Sequence, residues 1–163
     1  MPRLTAAERD AFLDEPGHLV RVGSVDADGM PRVVPTWFVR DGDDVLFTPR
    51  LESVFLANLL RDPRVGLSID EDALPYRKLT VQGQVRVVHP PGDDDAWRDT
   101  YRTIARRYVG EAGADAYLSF TIEEPRALLA VSLSSSRTST WRMPVGAEDP
   151  SGIWAARYFH RSG

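Results

Sequence analysis

Short apolar runs between turn residues dominate this chain, and that pattern predicts strands more often than helices. Residues 18–26 hold Leu19, Val20, Val22 and Val25 and predict a first strand, followed by the hairpin signal Asp28-Gly29. Residues 30–40 predict a second strand, in which Pro35 marks an edge or a bulge because it has no N–H for a ladder. Asp41-Gly42-Asp43 turns the chain again and residues 44–48 predict a third strand, so three antiparallel strands form a meander. Residues 65–70 and 78–88 predict strands four and five. In the latter Val81, Val85 and Val87 recur at even spacing, with Thr80, Gln82 and Gln84 between. Residues 126–132 and 139–142 predict the last strands.

Three stretches change to helical period. Thr5 and Glu8 fit a capping box, Phe12 and Leu13 continue the apolar side, and Glu15-Pro16-Gly17 stops an N-terminal helix within residues 1–15. Leu51, Val54, Phe55, Asn58 and Leu59 share one side of a helix over 51–60, closed by Asp62-Pro63. Asp93, Asp94 and Asp95 suit a helix N-terminus. Trp97, Tyr101, Ile104, Ala105 and Tyr108 then form an apolar stripe, with Arg98, Arg102 and Arg106 beside it. Residues 114–120 add a helical turn, which makes 93–121 a helical insertion. Residues 143–163 have little periodicity but carry Trp154, Tyr158 and Phe159, so this tail is expected to dock on the barrel or on a partner chain. The sum is one mainly β domain over 1–163, a small closed or split antiparallel barrel with peripheral helices.

Composition narrows the function classes. The 163 residues are 42% apolar, enough for a single core. A net charge of −4 gives no positive field, and no nucleic-acid partner is expected. The absence of cysteine excludes disulfides, a thiol nucleophile, iron–sulfur clusters and cysteine-bound zinc. No apolar run reaches the roughly 18 residues of a membrane span, and residues 1–15 lack a signal-peptide core, so a cytoplasmic location is expected. Of the 20 basic residues only Lys78 is lysine, so anion recognition falls mainly to arginine forks.

Motifs for acyl transfer, nucleotide binding or zinc proteolysis are missing. His18, His89 and His160 lie far apart at element edges, and no metal site is expected. The Arg98/Arg102/Arg106 stripe is either a solvated face or a contact for an anionic cofactor tail.

The run Pro31-Arg32-Val33-Val34-Pro35-Thr36-Trp37-Phe38 is followed by Asp41-Gly42 and Phe47-Thr48. Asn58-Leu59 and Arg61-Asp62-Pro63-Arg64-Val65 come next, then Pro75-Tyr76-Arg77-Lys78 ending at Gly83. This ordered set, over residues 18–88, resembles the pyridoxamine 5′-phosphate oxidase-like flavin- and deazaflavin-binding split barrels. The resemblance implies a six- to seven-stranded antiparallel split β-barrel and a homodimer with cofactor grooves shared between two barrels. It places the cofactor ring along Val34, Pro35, Thr36 and Trp37. Thr48, Arg50 and Ser53 would hold the phosphate, and Arg32 and Lys78 would make further cofactor contacts. A hydroxyl, a guanidinium and helix-start amides make chemical sense as an anion site.

Two departures matter. Flavin-dependent members carry an Arg-Lys pair where this chain has Val54 and Phe55. The substrate motif of the true oxidase is replaced by Arg157-Tyr158-Phe159-His160-Arg161, which argues against pyridoxine phosphate oxidation. The resemblance therefore implies an oxidoreductase in which reduced deazaflavin coenzyme F-420 delivers hydride to an activated C=C or C=N bond of a small organic substrate. Tyr76 is a candidate proton donor. An FMN-dependent oxidoreductase is the first alternative. A non-catalytic flavin- or haem-binding protein, with His18, His89 or His160 on the iron, is the second.

Overall fold

The computed structural model describes residues 2–149. Nine strands form two antiparallel sheets. The elements run α1 (Ala6–Asp14), β1 (Val20–Val25), β2 (Pro31–Thr36), β3 (Phe38–Asp41), β4 (Asp44–Phe47), α2 (Val54–Arg61), β5 (Arg64–Asp70), β6 (Lys78–Gln84) and β7 (Arg86–His89). A 3₁₀ turn (Asp94–Trp97), α3 (Arg98–Phe120), β8 (Leu128–Ser132) and β9 (Arg137–Trp141) follow. One sheet has the order β2-β1-β5-β6-β9, the other β3-β4-β8-β7.

Strands outnumber the expected six or seven because two long runs split where they cross between sheets. The predicted second strand breaks at Trp37 into β2 and β3, and the fifth breaks at Val85 into β6 and β7. Such corner strands let two sheets enclose one core without a closed barrel. The predicted meander is therefore two hairpins, β1–β2 and β3–β4, in different sheets. Pro35 fits because β2 is the sheet's edge strand.

The crossing at Trp37 takes backbone groups out of a ladder, and α3 supplies replacements. Phe38 N–H donates to the Tyr108 hydroxyl at 3.1 Å, and that hydroxyl donates to His18 O at 2.6 Å. Arg107 donates to the carbonyls of Leu13, Asp14 and Glu15 at 2.8–3.1 Å. It thereby satisfies the C-terminal end of α1. Gly110, at φ 72°, bends α3 into two segments. Arg102–Asp115 and Arg106–Glu111 ion pairs span the bend and Arg98 pairs with Asp95 of the 3₁₀ turn, so each arginine of the basic stripe has a nearby carboxylate.

The main core lies between the sheets and holds Phe12, Phe38, Phe47, Ile69, Leu79 and Leu129. A second cluster, with Trp97, Tyr101, Leu118, Leu128 and Ala130, joins α3 to the far face of the four-stranded sheet. The N-terminal capping box forms as the pattern predicts, with Glu8 N–H donating to Thr5 Oγ1 at 3.2 Å. Residues 150–163, with Trp154, Tyr158, Phe159 and His160, lie outside the described residues.

Candidate functional site

Strand β2 organises the site through its alternation. Arg32, Val34 and Thr36 pair with the buried residues Ser24, Val22 and Val20 of β1 and share their inward face, whereas Val33 and Pro35 face outward. Val34 packs against the main core. Side chains of successive residues therefore cannot all meet one flat ring; what Val34, Pro35 and Thr36 present together is the strand's open edge.

At one end of that edge Arg32 is engaged. It donates to both Asp26 oxygens at 2.7 and 2.8 Å. Buried Asn58 donates to Asp26 at 2.6 Å, and Arg61 donates to Asn58 Oδ1 at 3.1 Å. Arg32 first, then Asn58, hold the Asp26 carboxyl below its usual range. Asn58 thus braces the β1–β2 hairpin.

At the other end Pro35, Thr36 and Trp37 meet Thr48, Tyr101, Tyr117 and Arg126 around a cavity of about 250 Å³. Trp37 stacks on Tyr108, with centroids 5.0 Å apart and planes 2° from parallel, and tilts against Tyr117 at 4.9 Å. Arg126 is 5% exposed. Its guanidinium lies 4.9 Å from the Tyr101 ring centroid and donates to Thr48 O at 3.2 Å and Tyr117 Oη at 3.3 Å. Its Nε has no hydrogen-bond partner among the described residues. Glu124 Oε2 is 3.8 Å from Arg126 and 2.9 Å from Arg50, and is aligned for a hydrogen bond to neither. Burial pushes the Tyr101 hydroxyl up to about 12, so it stays protonated at neutral pH.

The turn into α2 carries the other predicted residues. Thr48 is buried, while Arg50 is exposed beside Glu124. Ser53 occupies the N-cap position, yet its hydroxyl donates to Arg50 O at 2.7 Å and makes no cap bond. The first amides of α2 thus lack a side-chain cap, which suits an anion. Val54 is exposed and Phe55 is buried in the core, so neither position supplies a cation.

Two candidates lie apart from this group. Lys78 sits on β6, three strands from β2, roughly 14 Å at the usual strand spacing. It pairs across the ladder with Asp70 and stands 5.1 Å from the Trp141 ring centroid. Tyr76, at φ 55°, lies in the β5–β6 loop, outside the cavity. His18 and His89 are also engaged, the first 3.4 Å from Glu15 and the second 2.7 Å from Asp93. Arg126, Tyr101 and Tyr117 were not singled out as site residues from the sequence. The available signal is a lone arginine directly before the continuous apolar run Ala127–Val131.

A second concavity, an open trough of about 760 Å³, lies on the outer face of the five-stranded sheet and includes Gly23, Val25, Val33, Gly66 and Gln82. Gly23 and Gly66 face each other there, and a Cβ on Gly23 would sit 3.4 Å from Gly66 O.

Paired antiparallel sheets, corner strands and flanking helices define a split-barrel class of fold. A sequence profile described as pyridoxamine 5′-phosphate oxidase matches residues 5–138, and the chain belongs to that family. A conserved hypothetical protein of Mycobacterium tuberculosis superposes with a TM-score of 0.69 at 19% identity, over 91% of this chain and 94% of that one. A structure described as an F-420 reductase gives 0.57 at 25% identity, over 76% and 90%. An FAD- and haem-binding protein of Mycobacterium smegmatis gives 0.65 at 23% identity, over 93% and 78%. No curated protein matches the chain. Among the described residues, no helix is long and apolar enough to cross a membrane.

Proposed function

We propose that the protein is an oxidoreductase in which reduced F-420 supplies hydride to an activated C=C or C=N bond of a small organic molecule. The observation that carries this reading is the open edge of β2, which ends beside Thr48 on the way into α2, a helix whose first amides lack a side-chain cap. An edge strand offers unpaired N–H and C=O groups to a ring. Arg50, Ser53 and the α2 amides would hold the anionic tail. Pro35 and Trp37 would bound the ring from the outer face and the corner. Membership of the family and the likeness to an F-420 reductase support the assignment. The apolar character of Val54 and Phe55 favours F-420 over FMN, because no cation stands there.

The site is read as shared between two copies of the chain. Val33, 65% exposed, and Val25, 42% exposed, flank the glycine trough on the outer sheet face, an apolar surface suited to a second copy. Lys78, too distant from β2 in one chain, would then serve the partner's groove.

Fluorescence titration with oxidised F-420 and, separately, with FMN tests the reading. Tight F-420 binding and weak FMN binding are expected. A preference for FMN would make the protein a flavin enzyme, and binding of neither would remove the cofactor role from these residues.

A further inference from the structure

We infer that the cavity beneath Trp37 is a receptor for the carboxylate of a planar, aromatic acid, the acidic end of the substrate. This rests on the proposed function for the word substrate; the binding itself follows from the cavity alone.

A guanidinium has five N–H donors. Arg126 uses two, on Thr48 O and Tyr117 Oη, and its Nε is buried without a partner. The nearest carboxylate, Glu124, is 3.8 Å away and is nearer still to Arg50. Arg126 keeps two hydrogen bonds and its place over the Tyr101 ring, yet a buried guanidinium with the rest of its donors idle is costly. An anion entering the cavity would take up the idle donors. Among the described residues Arg126 is also the only charged side chain lining it, so the cavity matches a single negative charge.

The remaining walls choose the shape. Trp37, Tyr101 and Tyr117 present aromatic surface on several sides, with Tyr101 and Tyr117 centroids 6.1 Å apart at 66°. Such walls favour a flat ring over a hydrated inorganic ion. A volume of about 250 Å³ suits a small acid and is below the usual range for drug-sized ligands. Pro35, Thr36, Trp37 and Thr48 belong both to the cavity and to the proposed cofactor wall, so an acid held by Arg126 abuts the cofactor.

Calorimetric titration of the full chain with benzoate, benzamide and inorganic phosphate decides the matter. Benzoate should bind at least tenfold more tightly than benzamide. Arg126→Met, which keeps the stem and removes the charge, should bring that ratio close to one. Should that variant fail to fold, the wild-type ratios of benzoate to benzamide and of benzoate to acetate still decide, the second testing the aromatic walls. Equal binding of benzoate and benzamide, or of benzoate and acetate, would overturn the inference. So would phosphate binding more tightly than benzoate, or benzoate displacing bound F-420 or FMN, because the cavity would then belong to the cofactor. If neither cofactor binds, the proposed reaction fails while the benzoate ratio still reports on the cavity.

Discussion

The two sheets treat their outer faces oppositely. The four-stranded sheet is covered: Leu128, Leu129, Ala130 and Val131 of β8 are all buried, alternate residues facing the main core and α3. Among the described residues the five-stranded sheet is bare: β1 and β5 alternate buried with exposed or half-buried residues, and Val33, Val25 and the Gly23/Gly66 trough lie open. A sheet buried on both sides reads as a continuous apolar run, and one buried on one side reads as an alternation. The continuous run marks where this chain covers itself. The alternation, broken by exposed valines, marks where the described residues leave a face open.

The largest expected effect lies on the covered sheet. Leu128 is 3% exposed against α3. Leu128→Ala should lower the unfolding free energy by about 2–5 kcal/mol, the usual range for a buried leucine. Urea unfolding measures it. A loss below about 1 kcal/mol would mean that α3 does not cover the sheet in solution. No titratable group is removed, so the loss should be the same at pH 7 and pH 3.

An intermediate, pH-dependent effect lies at the end of the bare sheet. Arg77 donates to both oxygens of Glu71 and of Glu15, at 2.6–2.9 Å, and so ties the β5–β6 loop to α1. Hydrogen bonds from Arg77 hold both carboxyls below their usual range. A depressed carboxylate stabilises the fold above its unfolded pKa, and that contribution is lost as pH falls through the folded value. Glu71→Gln should therefore cost about 1–3 kcal/mol at pH 7, and the gap to wild type should narrow as pH drops below about 4. A gap of constant size from pH 7 to pH 3 would show that the network does not carry the pH dependence.

What could be read from the sequence follows the same division. Elements with a clear local signal were legible: the capping box at Thr5, both hairpin turns, the edge position announced by Pro35, and the amphipathic α2. The sheet crossings at Trp37 and Val85 were not, because strand propensity is unchanged through each corner and only long-range contacts, such as Tyr108 on Phe38, place the break. Of the residues that the resemblance named, Pro35, Thr36, Trp37 and Thr48 come together around one cavity. Arg126 escaped because its neighbours come from α3 and β4, and sequence spacing cannot report a cation's missing partner. Val34 and Arg32 fall on the strand's inward face because side chains alternate along a strand, and Lys78 lies three strands away because sheet order carries no local signal.

The smallest expected effect on the folded chain, and the sharpest test of the comparison, is Val33→Asp. Val33 is 65% exposed, so a charge there should leave the single chain's own stability within about 0.5 kcal/mol. If the bare face is the proposed interface, the cost appears in association instead. Sedimentation should give wild type at about 36 kDa, twice the 18.2 kDa chain, and the variant near the single mass. A second copy that binds only the folded chain stabilises it by mass action, so the wild-type melting temperature should rise with protein concentration and the variant's should not. A wild type that sediments as a single chain, or melts independently of concentration, would leave the outer valines and the glycine trough without a partner. It would also leave Lys78 with no groove to serve.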